Sequence, residues 1–210
     1  MKPYKLNLKS VIGIVGLLSL LIFSAVLIIL GDVKFVNIGE TLLHYGYIIA
    51  PVTILWVSLE NYFWHTKLFQ SIRKSLNIPP DIRGRWEGVL ENADGSQPQK
   101  FVIEIKQTLT HIRVHSYSTI GHSISILTEI ASDTNEENFI LGYLWQGEIH
   151  TSMKDTHAGE LFFGYTMLNL NEKLLPKVLA GSYFTNRKSA QTRGGIKLEW
   201  ISHKMEHKFE

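Results

Sequence analysis

The sequence contains no cysteine. That removes disulfide staples, thiolate nucleophiles and every cysteine-based zinc or iron–sulfur site. Charge of one sign is also missing: 21 Lys and Arg face 19 Asp and Glu over 210 residues, a net +2. Such a balance leaves no basic footprint for a DNA or RNA polymer. No nucleophile elbow, phosphate-cradling loop or His-Glu-x-x-His helix occurs. Among the histidines, His111 and His115 would stand about 13 Å apart on a strand, too far for one metal ion. His150 and His157 flank a polar turn. No catalytic residue, metal site or cofactor is expected, and the chain reads as a non-enzyme.

What is present is split between two solvents. Residues 1–76 carry seven Lys and Arg against three Asp and Glu, whereas 77–210 carry fourteen against sixteen. Residues 11–30 hold no charge, and twenty residues of helix cover about 30 Å, the hydrocarbon thickness of a bilayer. A signal peptide would have a shorter apolar region before a cleavage site. A second run, 42–59, is free of charge apart from a possible one on His44 and contains Pro51, which membrane helices tolerate. Tyr62, Phe63 and Trp64 follow where an interfacial aromatic belt belongs. Basic residues flank both outer ends (Lys2, Lys5 and Lys9 before, Lys67, Arg73 and Lys74 after). The expectation is a two-helix transmembrane hairpin with both termini cytosolic. Gly13, Gly16 and Ser19, three apart, are candidates for close helix approach and oligomerisation, although ordinary glycine usage in a membrane helix explains them too.

After Pro79-Pro80 the periodicity changes. No 3.6-residue pattern lasts ten residues, and β-branched and aromatic stretches recur between turn signals. The predicted strands are 84–90, 100–108, 111–118, 123–131, 139–146, 160–169, 178–185 and 195–202. Asp94-Gly95 marks the first hairpin. Eight short antiparallel strands suit a closed barrel, with a sandwich as the competing arrangement. Gly84-Arg85-Trp86 is similar to the lipocalin opening, in which the tryptophan plugs the barrel base. The domain division expected is 1–76 for the helices and 77–210 for an all-β domain.

A cavity that mixes cations with rings suits a compact ligand bearing phosphates and bases, since arginine grips phosphate bidentately and bases stack on aromatics. The candidates are Lys106, Arg113 and Tyr117 on the second and third strands, the aromatic residues Tyr143, Trp145, Tyr165 and Tyr183, and Arg187 near the seventh turn with Lys188 and Arg193. Lys106 and Arg113 fit a solvent-facing wall equally well, and Trp86, Trp145 and Tyr183 fit core filling. The apolar stretches Phe139-Ile140-Leu141 and Leu161-Phe162-Phe163 exceed what one barrel interior needs, so a protein contact surface is a further expectation.

The layout of two membrane helices, then Asp81-Ile82-Arg83-Gly84-Arg85-Trp86-Glu87-Gly88, then Leu179-Ala180-Gly181-Ser182-Tyr183-Phe184 and Gly194-Gly195-Ile196-Lys197-Leu198, resembles a known family. It is similar to the two-helix, β-strand-rich effectors found beside cyclic-nucleotide-making CD-NTases in bacterial CBASS antiphage defence. That resemblance implies a lipocalin-like cytosolic cup that binds a cyclic oligonucleotide. Binding would drive homo-oligomerisation of the helices, inner-membrane disruption and cell death. Two other functions fit the layout: a membrane-anchored carrier of a small apolar ligand, and a scaffold subunit that docks another protein.

Overall fold

In a computed structural model the chain divides into two compact units, Lys5–Pro79 and one running chiefly from Pro80 to Glu210. The structure describes residues 8–30, 38–71, 78–132, 138–149, 161–171, 177–187 and 191–209. Lys188, His150 and His157 lie outside the described residues.

The first unit holds helix α1 (Leu8–Leu30) and helix α2 (Ile38–Asn61), which pack on each other, then a 3-10 turn (Phe63–His65) and the short α3 (Lys67–Ser71). Pro51 lies inside α2. In α1 the hydroxyls of Ser19 and Ser24 donate back to the carbonyls of Val15 and Leu20, at 2.6 and 2.9 Å, so the helix satisfies its own polar side chains. Large aliphatic side chains stand in the open, Ile28 at 82% and Ile29 at 80% exposure. Among the described residues, no helix is long and apolar enough to cross a membrane. The uncharged run includes positions 11, 14, 26, 27 and 30, whose side chains are not among those described. The bilayer reading of these helices therefore rests on their sequence.

The second unit is a closed antiparallel barrel in which each strand pairs with the next and β8 returns to β1. Its strands are β1 (Gly84–Asn92), β2 (Gln99–Gln107), β3 (Ile112–Ser118), β4 (Gly121–Ser132), β5 (Asn138–Ile149), β6 (Leu161–Asn171), β7 (Val178–Thr185) and β8 (Arg193–Ser202). Period-two patterning sets which face turns inward. Along β5, Phe139, Leu141, Tyr143, Trp145, Gly147 and Ile149 are buried, and the residues between them are not. Closure decides between barrel and sandwich, since no edge is left to protect. The wall is thinnest between β3 and β4, which pair only from His115 to Tyr117, before an irregularity at Ser125 and Leu127 in β4. There the Ser125 hydroxyl accepts from the Val114 N–H at 2.9 Å in place of a ladder bond.

Trp86 closes one end. Its ring is fully buried, and its Nε1–H donates to the Ile82 carbonyl at 3.0 Å. The preceding segment is held by Gln107, which accepts from the Ile82 N–H and donates to the Pro80 carbonyl, each at 3.0 Å. Gly84 makes this entry possible: its φ is +115°, and a Cβ there would stand 2.1 Å from the Ser202 carbonyl oxygen.

The segment after β8 lies along the outside of β1 and β2. Glu104, 1% exposed, accepts from the N–H groups of Glu206 and His207 at 2.6 and 3.1 Å. Arg85, 4% exposed, donates to Glu87 and Glu104 and to the carbonyls of Lys208 and Phe209. Burial alone would lower the Arg85 pKa, but the bonds to Glu87 and Glu104 outweigh it and raise the value. A charge so placed is tolerable only because its hydrogen-bonding positions are filled.

Candidate functional site

At the end of the barrel opposite Trp86 the interior opens into a cup of about 140 Å³. Two tiers of inward side chains build it. The deeper tier includes Leu90, Phe101, Ser116, Tyr143, Thr166, Tyr183 and Ile196; the rim includes Asn92, Gln99, Ser118, Phe162, Arg187 and Thr192. The tiers follow from strand pitch, because consecutive inward residues on one strand lie about 6.6 Å apart along it. Trp145, one inward position beyond Tyr143 on β5, stands between them.

The rings are held by specific contacts. The Trp145 Nε1–H donates to the Thr166 hydroxyl at 2.9 Å, and its ring meets Phe162 edge-on, with centroids 5.6 Å apart. Two glycines give these rings their space. A Cβ at Gly164 would lie 2.2 Å from Cζ2 of Trp145 and 2.7 Å from the Phe184 carbonyl oxygen, and one at Gly147 would lie 2.8 Å from Cζ of Phe162. The Tyr183 hydroxyl donates to Oδ1 of Asn92 across the β1–β7 side of the rim. Burial, and then the Asp94 carboxylate, push the Tyr183 pKa up.

Among the described residues of the cup, Arg187 is the one arginine or lysine and none is a carboxylate. Its guanidinium lies 4.5 Å from the Phe162 ring centroid, and its buried Nε has no hydrogen-bond partner. Deeper, the Tyr143 hydroxyl is buried beside the Ser116 and Thr166 side chains, which lower its pKa as hydrogen-bonding neighbours without meeting it in good bond geometry. Burial pushes Tyr143 up to about 12, so it stays a neutral donor and acceptor at physiological pH. The arrangement offers a stacked cation at the mouth, aromatic walls and hydroxyls at the floor. Among the described residues, no group of three His, Asp or Glu is placed to hold a metal ion.

Of the residues expected from sequence, Trp145, Tyr183 and Arg187 line this cup together. Lys106, Arg113 and Tyr117 do not. On β2 and β3 the inward positions belong to Ile105, Val114, Ser116 and Ser118, so their neighbours face outward. Lys106 and Arg113 are opposite each other on the outer wall, and Arg113 lines a separate groove there with Leu127, Glu129 and Tyr165. Together they lower the pKa of His115, after the larger effect of its own burial. Burial, then Glu104, raises that of Tyr117. Two polar strands had seemed the natural source of cations for the cup, but alternation puts those cations on the solvent side. Tyr143, named from sequence among the aromatic candidates, sits at the floor, and Tyr165 lies on the outer groove; sequence reasoning missed Phe162, Thr166 and Asn92 as lining residues. The inward phase of β5, fixed by Phe139, Leu141 and Trp145, was the signal available for Tyr143.

An eight-stranded barrel plugged at one end and open to a small aromatic, singly cationic cup at the other is a ligand-receptor domain. Residues 77–200 match the family model described as Cap15, cyclic dinucleotide receptor domain, and the chain belongs to that family. The barrel is thus the cyclic-nucleotide-binding part of a CBASS effector. No curated protein matches the sequence.

Proposed function

We propose that the chain is a membrane-anchored sensor that damages the bacterial inner membrane when a cyclic dinucleotide fills its cup. The stacked Arg187 guanidinium carries the site assignment: a cation with an unfilled donor, in a cup whose described lining holds no carboxylate, matches a phosphodiester. Trp145 and Tyr183 supply ring faces and a hydroxyl for bases. The hydroxyl-bearing floor argues against an apolar cargo. Lys106, Arg113 and Tyr117, facing outward, play no part in this version of the site.

The output belongs to α1 and α2. Their exposed aliphatic side chains and internally bonded serines suit lipid, with both termini in the cytosol. Gly13 and Gly16 are exposed, with open space where a Cβ would stand, so the stripe with Ser19 remains free for a helix of another copy. Ligand drives assembly only by binding the assembled state more tightly. Moving a population from 1:99 to 99:1 takes about 5.5 kcal/mol of such preference, shared among the sites of an oligomer.

The test is the full chain reconstituted in dye-loaded vesicles. A cyclic dinucleotide is expected to release dye from vesicles carrying the wild type and not from those carrying Arg187→Ala. Leakage that ignores ligand, or failure of the protein to stay with the vesicles, overturns the reading.

A further inference from the structure

The cup is small for the ligand class. Pockets for organic ligands usually enclose about 300–1,000 Å³, against the about 140 Å³ here. That space is bounded by rings on its sides, with Trp145 and Phe162 fixed edge to face by the absence of side chains at Gly147 and Gly164. A flat heterocycle fits such a slot, and a whole cyclic dinucleotide does not. At the floor the Tyr143 hydroxyl, on a residue only 2% exposed, has the Ser116 and Thr166 side chains beside it but no hydrogen bond of good geometry. Leaving a buried hydroxyl unpaired costs free energy unless a ligand completes it. At the mouth, Arg187 on Phe162 is where a phosphate would lie if the base pointed inward.

The geometry points to a receptor that reads one base of its two-base ligand. That base enters the cup and hydrogen-bonds Tyr143, the ring phosphate next to it meets Arg187, and the second base stays outside the cup unread. Tyr143 is then the specificity-determining residue of the site and Arg187 its sequence-blind anchor. This inference rests on the barrel being the cyclic dinucleotide site proposed above.

The experiment is calorimetric titration of the full chain in detergent with cyclic di-AMP, cyclic di-GMP and the mixed cyclic GMP–AMP, and with the matching set built on uridine and adenosine. A one-base reader binds each mixed ligand within about twofold of the better of its two homodimers, because a symmetric ligand only offers the preferred base twice. A two-base reader places the mixed ligand at the geometric mean of the homodimers, and that result, or equal affinity for every ligand, overturns the inference. In Tyr143→Phe the affinity ratio between homodimers is expected to shrink at least about fivefold, with cooperative thermal unfolding of the unliganded protein retained because the ring still fills its place. An unchanged ratio overturns the role of Tyr143. In Arg187→Ala all affinities fall by about tenfold or more with the ratio kept. If no cyclic dinucleotide binds the wild type, the receptor reading itself falls.

Discussion

On the outer wall of β1 and β2 the charged side chains Arg85, Glu87, Glu91, Lys100, Glu104 and Lys106 stand with Val89 and Val102. Along β6 and β7, and on β5 from Ile140 to Gln146, no outward residue is charged; Leu144, Phe163, Tyr165, Met167 and Phe184 stand there instead. Within the charged wall Arg85 and Glu104 are buried under residues 203–209, although Lys100 and Lys106 stay exposed, whereas on the apolar wall Phe184 stands at 57% exposure. Ordinary partitioning would have it the other way round. Side-chain polarity therefore says little about exposure here. What matters is whether the polar atoms find partners: Glu104 finds them in two backbone N–H groups, and Arg85 in two carboxylates and two carbonyls.

The contrast is sharpest in stability. Glu104→Ala strips a buried guanidinium of one carboxylate and frees the N–H groups of Glu206 and His207, so a loss of about 3–5 kcal/mol is expected in urea denaturation. Residues 203–209 should become sensitive to protease in the same variant; wild-type stability would erase the distinction between the walls. Gly164→Ala, inside the uncharged half, is expected to cost about 1–3 kcal/mol by overpacking against Trp145. A shifted tryptophan fluorescence maximum would report the displaced ring. Phe184→Ser, on the exposed wall, should change stability by no more than about 0.5 kcal/mol. A larger loss would mean that Phe184 is buried against something in solution.

The smallest effect is on the pH axis. Burial, then Lys106 and Arg113, hold the His115 pKa below its unfolded value of about 6.5. The unfolded chain therefore takes up this proton first as pH falls. Stability is level above the unfolded pKa and declines as pH drops below it toward the folded value. His115→Gln should flatten that slope in urea midpoints measured from about pH 7.5 to 5.5.

The strand architecture was legible in the sequence because period-two alternation and turn residues are local. All eight strands lie where the pattern places them, with ends differing by at most three residues, such as β5 reaching Ile149 instead of 146. Trp86 as a base plug came from a different source, the likeness of Gly84-Arg85-Trp86 to the lipocalin opening, and the buried ring agrees with it. The site was only half legible. Trp145, Tyr183 and Arg187 could be picked as rings and a cation, but whether Arg113 faces the cup depends on the phase of β3 relative to seven other strands. Nothing within β3 decides between Val114 and Arg113 as the inward residue of a mixed strand until the barrel closes. The clamp on Glu104 was invisible, because its donors are backbone groups a hundred positions away.

Residues 203–209 also bear on where the domain may be cut. The family match stops at 200 and β8 at Ser202, so a fragment trimmed to either boundary would unroof the Arg85–Glu104 pair and present a raw ionic scar to solvent. Aggregation of such a truncated barrel would then report on the scissors and not on the receptor.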